Sequence, residues 1–83
     1  MEKVTVFSRG KCVQCNATYR ALHDNGIEFE VVDVDEDEAT QIRLQQLGFQ
    51  QLPVVRPVGV PAWSGFRPDK ISELAAMRSG GAA

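Results

Sequence analysis

The sequence predicts a small α/β domain in the order β-α-β-α-β-β-α, a four-stranded mixed sheet carrying three helices. Three observations lead there. Short stretches rich in β-branched and aromatic residues run from Lys3 to Phe7 and from Glu28 to Val34, with a Gly- and Pro-free segment of helical periodicity between them. A crossover through a helix makes two such strands parallel and right-handed in connection. Later, Pro57-Val58-Gly59 separates two further short runs by a turn too brief for a crossover, so those strands are antiparallel.

Each element has its own justification. In the first strand Val4 and Val6 face one way and Thr5 and Phe7 the other, which suits a sheet covered on both sides. Ser8-Arg9-Gly10-Lys11 breaks it. From Val13 to Asp24, Ala17 with Ala21 and Thr18 with Leu22 recur one helical turn apart, and Asn25-Gly26 supplies a left-handed cap followed by Ile27 as its apolar contact. The second strand carries Phe29, Val31, Val32 and Val34 and is expected to be apolar on both faces. Asp35-Glu36-Asp37-Glu38 offers an N-cap and places carboxylates where a helix dipole favours them. The helix it opens is expected to turn Ala39, Ile42 and Leu47 inward and to stop at Gly48, with Phe49 after the cap. Leu52 to Arg56 and Val60-Pro61-Ala62 read as a hairpin at a sheet edge, where prolines are tolerated. Pro68 beside Asp69 starts a last helix that buries Ile71, Leu74 and Ala75. The domain is expected over residues 1–78, with a disordered tail over 79–83.

Composition narrows the function. A chain of 83 residues with 43% hydrophobic and 24% charged residues is sized and balanced for one folded domain. Its formal net charge of -2 provides no basic field for nucleic acid. The longest uncharged stretches, Leu44 to Val55 and Pro57 to Phe66, are each broken by Pro and Gly and fall far short of the roughly 20 apolar residues that cross a bilayer. Met1 to Val6 alternates like a strand and does not resemble a signal peptide, so cytoplasmic residence is expected.

The chemistry concentrates in Cys12-Val13-Gln14-Cys15, which holds both cysteines of the chain. A Cys-x-x-Cys that follows a strand and opens a helix is the arrangement of a thiol redox motif. Unpaired amides and the dipole at a helix start favour a thiolate, so Cys12 is expected to have a lowered pKa and to be the nucleophile, with Lys11 adding positive charge. Cys15, one turn inward, is the resolving thiol. A zinc site needs four ligands, and His23, eight residues beyond Cys15, lies about 12 Å along the same helix. It cannot complete such a site within one chain. A metal or cluster shared between two chains stays open as an alternative.

These residues resemble the glutaredoxin branch of the thioredoxin superfamily over residues 1–78. More narrowly they are similar to the NrdH-redoxins, small electron donors of class Ib ribonucleotide reductase, through Cys12-Val13-Gln14-Cys15 and Trp63-Ser64-Gly65-Phe66-Arg67-Pro68-Asp69. The resemblance implies the thioredoxin/glutaredoxin fold. It also implies that Leu52-Pro53 is a cis-proline segment facing the dithiol, where it presents backbone to an incoming disulfide. Ordinary glutaredoxins usually carry Pro-Tyr between the cysteines and a Gly-Gly-x-x-Asp element before the last helix, both used around glutathione. Here Val13-Gln14 and Ser64-Gly65-Phe66-Arg67-Pro68-Asp69 stand in their place, which argues against glutathione as reductant.

The resemblance thus implies a monomeric dithiol carrier without a resident cofactor, reduced by thioredoxin reductase and oxidised by ribonucleotide reductase. Cys12 and Cys15 are its reacting pair, supported by Lys11, Val13, Gln14 and Pro53. Leu52, Trp63, Ser64, Gly65, Phe66, Arg67 and Asp69 are the candidates for partner binding, with Trp63 the stronger anchor because an aromatic with a polar handle suits a transient interface. For Arg67 and Asp69 the simpler expectation is a bond across the loop or a helix cap. A glutathione-dependent glutaredoxin, and an iron-sulfur or zinc carrier using Cys12 across a dimer, are the rival readings.

Overall fold

The computed structural model describes residues 3–82. Strand β1 (Val4–Ser8) leads into helix α1 (Val13–Asp24), then strand β2 (Phe29–Asp33), a 3-10 turn at Val34–Glu36 and helix α2 (Glu38–Gln46). Strands β3 (Val54–Arg56) and β4 (Trp63–Ser64) form the hairpin, and helix α3 (Pro68–Ala82) closes the order. The sheet runs β2-β1-β3-β4. β1 is parallel to β2, and the remaining pairs are antiparallel.

Strand alternation builds the two sides of the domain. Val4 and Val6, with Val55 opposite Val6 in register, join Leu22, Trp63, Ile71 and Leu74 in one core cluster, which α1 and α3 cover. Phe7, paired with Val54, faces the other way. That side holds Val34, Leu44 and Val54, with Leu52 and Phe49 packed against them beneath α2. Full burial of each large aliphatic side chain contributes about 1.5–3 kcal/mol, so the first cluster is the main source of stability. Ser8, though buried, shares a hydrogen bond with the Tyr19 hydroxyl, and the Tyr19 ring stacks on Phe29 at 5.6 Å.

Three expectations need correction. β2 lies at the sheet edge and Val31 is 48% exposed; the strand is not apolar-buried on both faces. Helix α2 starts later than expected because Asp33 caps the 3-10 turn and Asp37 takes the N-cap of α2, accepting from the Thr40 amide. Its inward position therefore falls on Leu44, and Ala39, Ile42 and Leu47 are exposed. The last strand is Trp63–Ser64 and not Val60 to Ala62. Pro61 has no N–H for a ladder, so pairing resumes two residues on, with Val55 opposite Trp63. Helix α3 runs through Ala82, and Ala83 lies outside the described residues.

Candidate active site

The chain leaves β1 at Ser8 and reverses through Lys11, whose φ of 56° lies in the left-handed region. For a residue with a Cβ that conformation costs about 1–2 kcal/mol. The reversal sets Cys12 at the N-cap of α1 with extended backbone (φ -115°, ψ 109°). Its Sγ accepts the backbone N–H of Cys15 at 3.2 Å, and its carbonyl accepts that of Asn16 at 3.1 Å. A helix N-cap normally uses an oxygen for this; here a sulfur answers one of the unpaired amides.

Cys15 sits one turn into the helix and is 1% exposed, whereas Cys12 is half-buried. The two are joined in a disulfide with Cα atoms 5.1 Å apart. The pair is thus asymmetric: one sulfur reaches the surface and the other faces the core. Val13, between them, is 83% exposed.

Gln14 does what the sequence did not foretell in detail. Its Oε1 accepts the backbone N–H of Phe66 at 3.1 Å, and its carbonyl accepts the Thr18 hydroxyl at 2.8 Å. The Gly65 N–H donates to the Pro53 carbonyl at 2.8 Å. Gly65 has φ 82°, and a Cβ there would stand 3.4 Å from Gln14 Oε1. Only a glycine lets the loop turn this way without strain and lie this close. Two hydrogen bonds therefore draw three segments distant in sequence, the dithiol turn, Leu52-Pro53 and the Ser64 to Phe66 loop, into one site. The Leu52-Pro53 bond is cis, and Pro53 is buried.

Trp63 and Phe66 divide. Trp63 is only 8% exposed and belongs to the main core, its Nε1 buried without a hydrogen-bond partner. Strand β4 turns Trp63 inward, so most of the indole packs in the core. Phe66, beyond the strand, is 36% exposed, while Ser64 and Leu52 are half-buried. Arg67 and Asp69 bond across the loop, Nε to Oδ1 at 3.1 Å and Nη2 to Oδ2 at 2.9 Å. Those hydrogen bonds hold the Asp69 carboxyl below its ordinary value and raise the Arg67 guanidinium above its own.

On the α2 side of Cys12 lies a groove of about 590 Å³, lined by Arg9, Lys11 and Cys12 and by apolar Leu44 and Leu52. Arg9 is bridged to Asp35 at 3.4 Å. Glutamines from α2 and from the segment before Leu52, together with Val34, Phe49 and Val54, complete the lining. This groove was not foreseen, although Gln41 and Gln45, four apart on one helix, were the available signal. Among the described residues no group of three or more His, Cys, Asp or Glu side chains is arranged to hold a metal ion, and no helix is long and apolar enough to cross a membrane.

Comparison with known proteins agrees with this geometry. The glutaredoxin family model matches residues 4–59. The glutaredoxin-like protein NrdH of Salmonella typhimurium is 52% identical over 73 residues, covering 86% of each chain. That of Escherichia coli K12 is 46% identical over 72 residues, 87% of this chain and 88% of the relative. Among solved structures, the NrdH-redoxin of Escherichia coli superposes with a TM-score of 0.82 at 45% identity, covering 88% of this chain and 95% of that one. The glutaredoxin of Archaeoglobus fulgidus superposes at 0.69 and 26% identity, over 89% of this chain and 86% of that one.

Proposed function

This chain belongs to the glutaredoxin family, among its NrdH proteins, and on that premise we propose that it carries electrons as a dithiol from a thioredoxin reductase to a class Ib ribonucleotide reductase. The observation that carries the reading is the asymmetry of the pair, Cys12 reaching the surface at a helix N-cap and Cys15 buried one turn inward.

The chemistry follows from that placement. Cys12 thiolate attacks one sulfur of the target disulfide; a Cys12–target bond forms, the target S–S bond breaks, and the other target sulfur leaves as thiolate. Cys15, deprotonated, then attacks the Cys12 sulfur. The internal disulfide forms, the mixed disulfide breaks, and the second target thiolate leaves. The target gains two electrons and, from solvent, two protons, while this chain becomes the disulfide form described above. The Cys15 N–H directed at Cys12 Sγ is a donor that favours negative charge on the attacking atom. Because Sγ faces its partner across a single turn, resolution is intramolecular and fast.

A reductase protein, using NADPH, restores the dithiol, and the carrier works as a cytoplasmic monomer. Protein is preferred over glutathione because Phe66 precedes α3 and the hydrogen-bonded Arg67–Asp69 pair spans its start, where a flexible tripeptide would need small residues. The test is a coupled assay following NADPH oxidation, with the oxidised chain reduced either by thioredoxin reductase or by glutathione and its reductase. Turnover with the first, and little with the second, is expected; efficient glutathione-driven turnover would reverse the donor assignment.

A further inference from the structure

We propose that the groove beside Cys12 selects an extended target segment bearing an acidic side chain close to the attacked cysteine, read by Lys11. This deepens the dithiol-carrier reading and rests on it.

Charge on the molecule is the starting point. The chain is net negative, at -2, yet the charged residues that line the groove are Arg9 and Lys11, both cationic. Arg9 is already bridged to Asp35. Lys11 makes no ion pair among the described residues, is exposed, and precedes the nucleophile directly. Its left-handed φ fixes where the chain reverses, so the ammonium is carried on the same rigid turn that presents the Cys12 sulfur. A cation so placed attracts a carboxylate lying a few residues from the target disulfide and repels a second ammonium there.

The rest of the lining suits an extended peptide. Gln45, Gln50 and Gln51 each offer an amide with both donors and an acceptor, the complement of peptide N–H and C=O groups. Leu44 and Leu52 supply apolar contact between them. A volume of about 590 Å³ is of the size that takes a few residues of chain, not a folded domain.

The experiment uses the full chain and three end-blocked peptides, identical except that the residue flanking the disulfide is Glu, Gln or Lys. A small neutral disulfide serves as a fourth substrate. For the unmodified protein at low salt, kcat/KM is expected to be about threefold to fivefold higher for the Glu peptide than for the Gln peptide, and lower again for the Lys peptide, the scale of a solvent-accessible ion pair. High salt should erase the difference. In Lys11→Glu the order of the Glu and Lys peptides should invert; because the ratio compares peptides on one variant, any change in thiol reactivity cancels. Equal rates for the three peptides, with the neutral disulfide still reduced, would overturn this inference and leave the carrier reading standing. Failure to reduce any of the four would overturn the carrier reading itself, and this inference with it.

Discussion

Gln14 Oε1 accepts the Phe66 backbone N–H at 3.1 Å, joining residues 52 positions apart. One of the two residues enclosed by the cysteines is therefore part of the same hydrogen-bonded unit as the loop before α3. Any change at Gln14 acts on both, so its effects cannot be read as local to the dithiol.

Gln14→Ala should free the Phe66 amide while leaving α1 formed, since the Thr18 hydroxyl bonds to the backbone of Gln14 and not to its side chain. A loss of about 1 kcal/mol is expected, the usual net worth of such a bond. Amide exchange at Phe66, followed by NMR, should accelerate in the alanine variant and return toward the original rate in Gln14→Glu, which keeps an acceptor. Unchanged exchange at Phe66 in Gln14→Ala would show that the bond does not hold the loop.

The Arg67–Asp69 pair predicts a pH dependence. Asp69 has a folded pKa below its ordinary 3.8, mainly through the Arg67 hydrogen bond. A depressed carboxyl contributes stability that is present above the unfolded pKa and lost as pH falls through the folded one. Asp69→Asn should therefore lower Tm slightly at neutral pH, and the gap to the unmodified chain should close in acid. Both side chains are about half exposed, so the effect is small and salt should reduce it. Thermal unfolding across an acid-to-neutral series, at low and high salt, measures it; a gap that widens in acid would refute the sign.

Trp63 should behave as a core residue. Trp63→Ala is expected to cost about 3–5 kcal/mol, the range for removing a large buried aromatic. Trp63→Phe should cost much less, because it keeps most of the apolar surface and removes an indole N–H that has no partner where it is buried. Urea unfolding gives both values. Thiol exchange per folded molecule should match the original in Trp63→Phe, and a large loss of exchange without loss of stability would return the residue to the interface.

What the sequence carried, and what it did not, divides along the range of the forces. β1, α1 and the Cys12–Cys15 turn were legible because their signals are local: strand alternation, a helical repeat, and Gly26 at φ 69° closing α1. The start of α3 at Pro68 was legible for the same reason. The inward face of α2 was not, because two aspartates competed to begin a helix, and choosing Asp37 over Asp35 rotated Leu44 inward in place of Ile42. Nor was the exposure of Val31, which depends on the sheet ending at β2. Cys12, Gln14, Pro53 and Phe66 were each singled out, yet the hydrogen bonds that assemble their segments cross most of the chain. Local periodicity carries no record of such contacts.

Helix α2 is fastened to the domain chiefly through one buried side chain, Leu44, aided by the Gln41 amide that reaches the Val34 carbonyl at 2.6 Å. Stability is distributed unevenly in folded proteins, and an element with so small a foothold sits near the low end of that distribution. α1 and α3, gripping the large cluster, sit near the high end. The wall of the groove supplied by α2 is therefore the more weakly anchored one, while the turn that carries Cys12 leads directly into the firmly packed α1. Accommodation of bulk and accuracy of attack thus reside in separate parts of the molecule, an arrangement that would serve the proposed carrier in meeting two unlike proteins in succession.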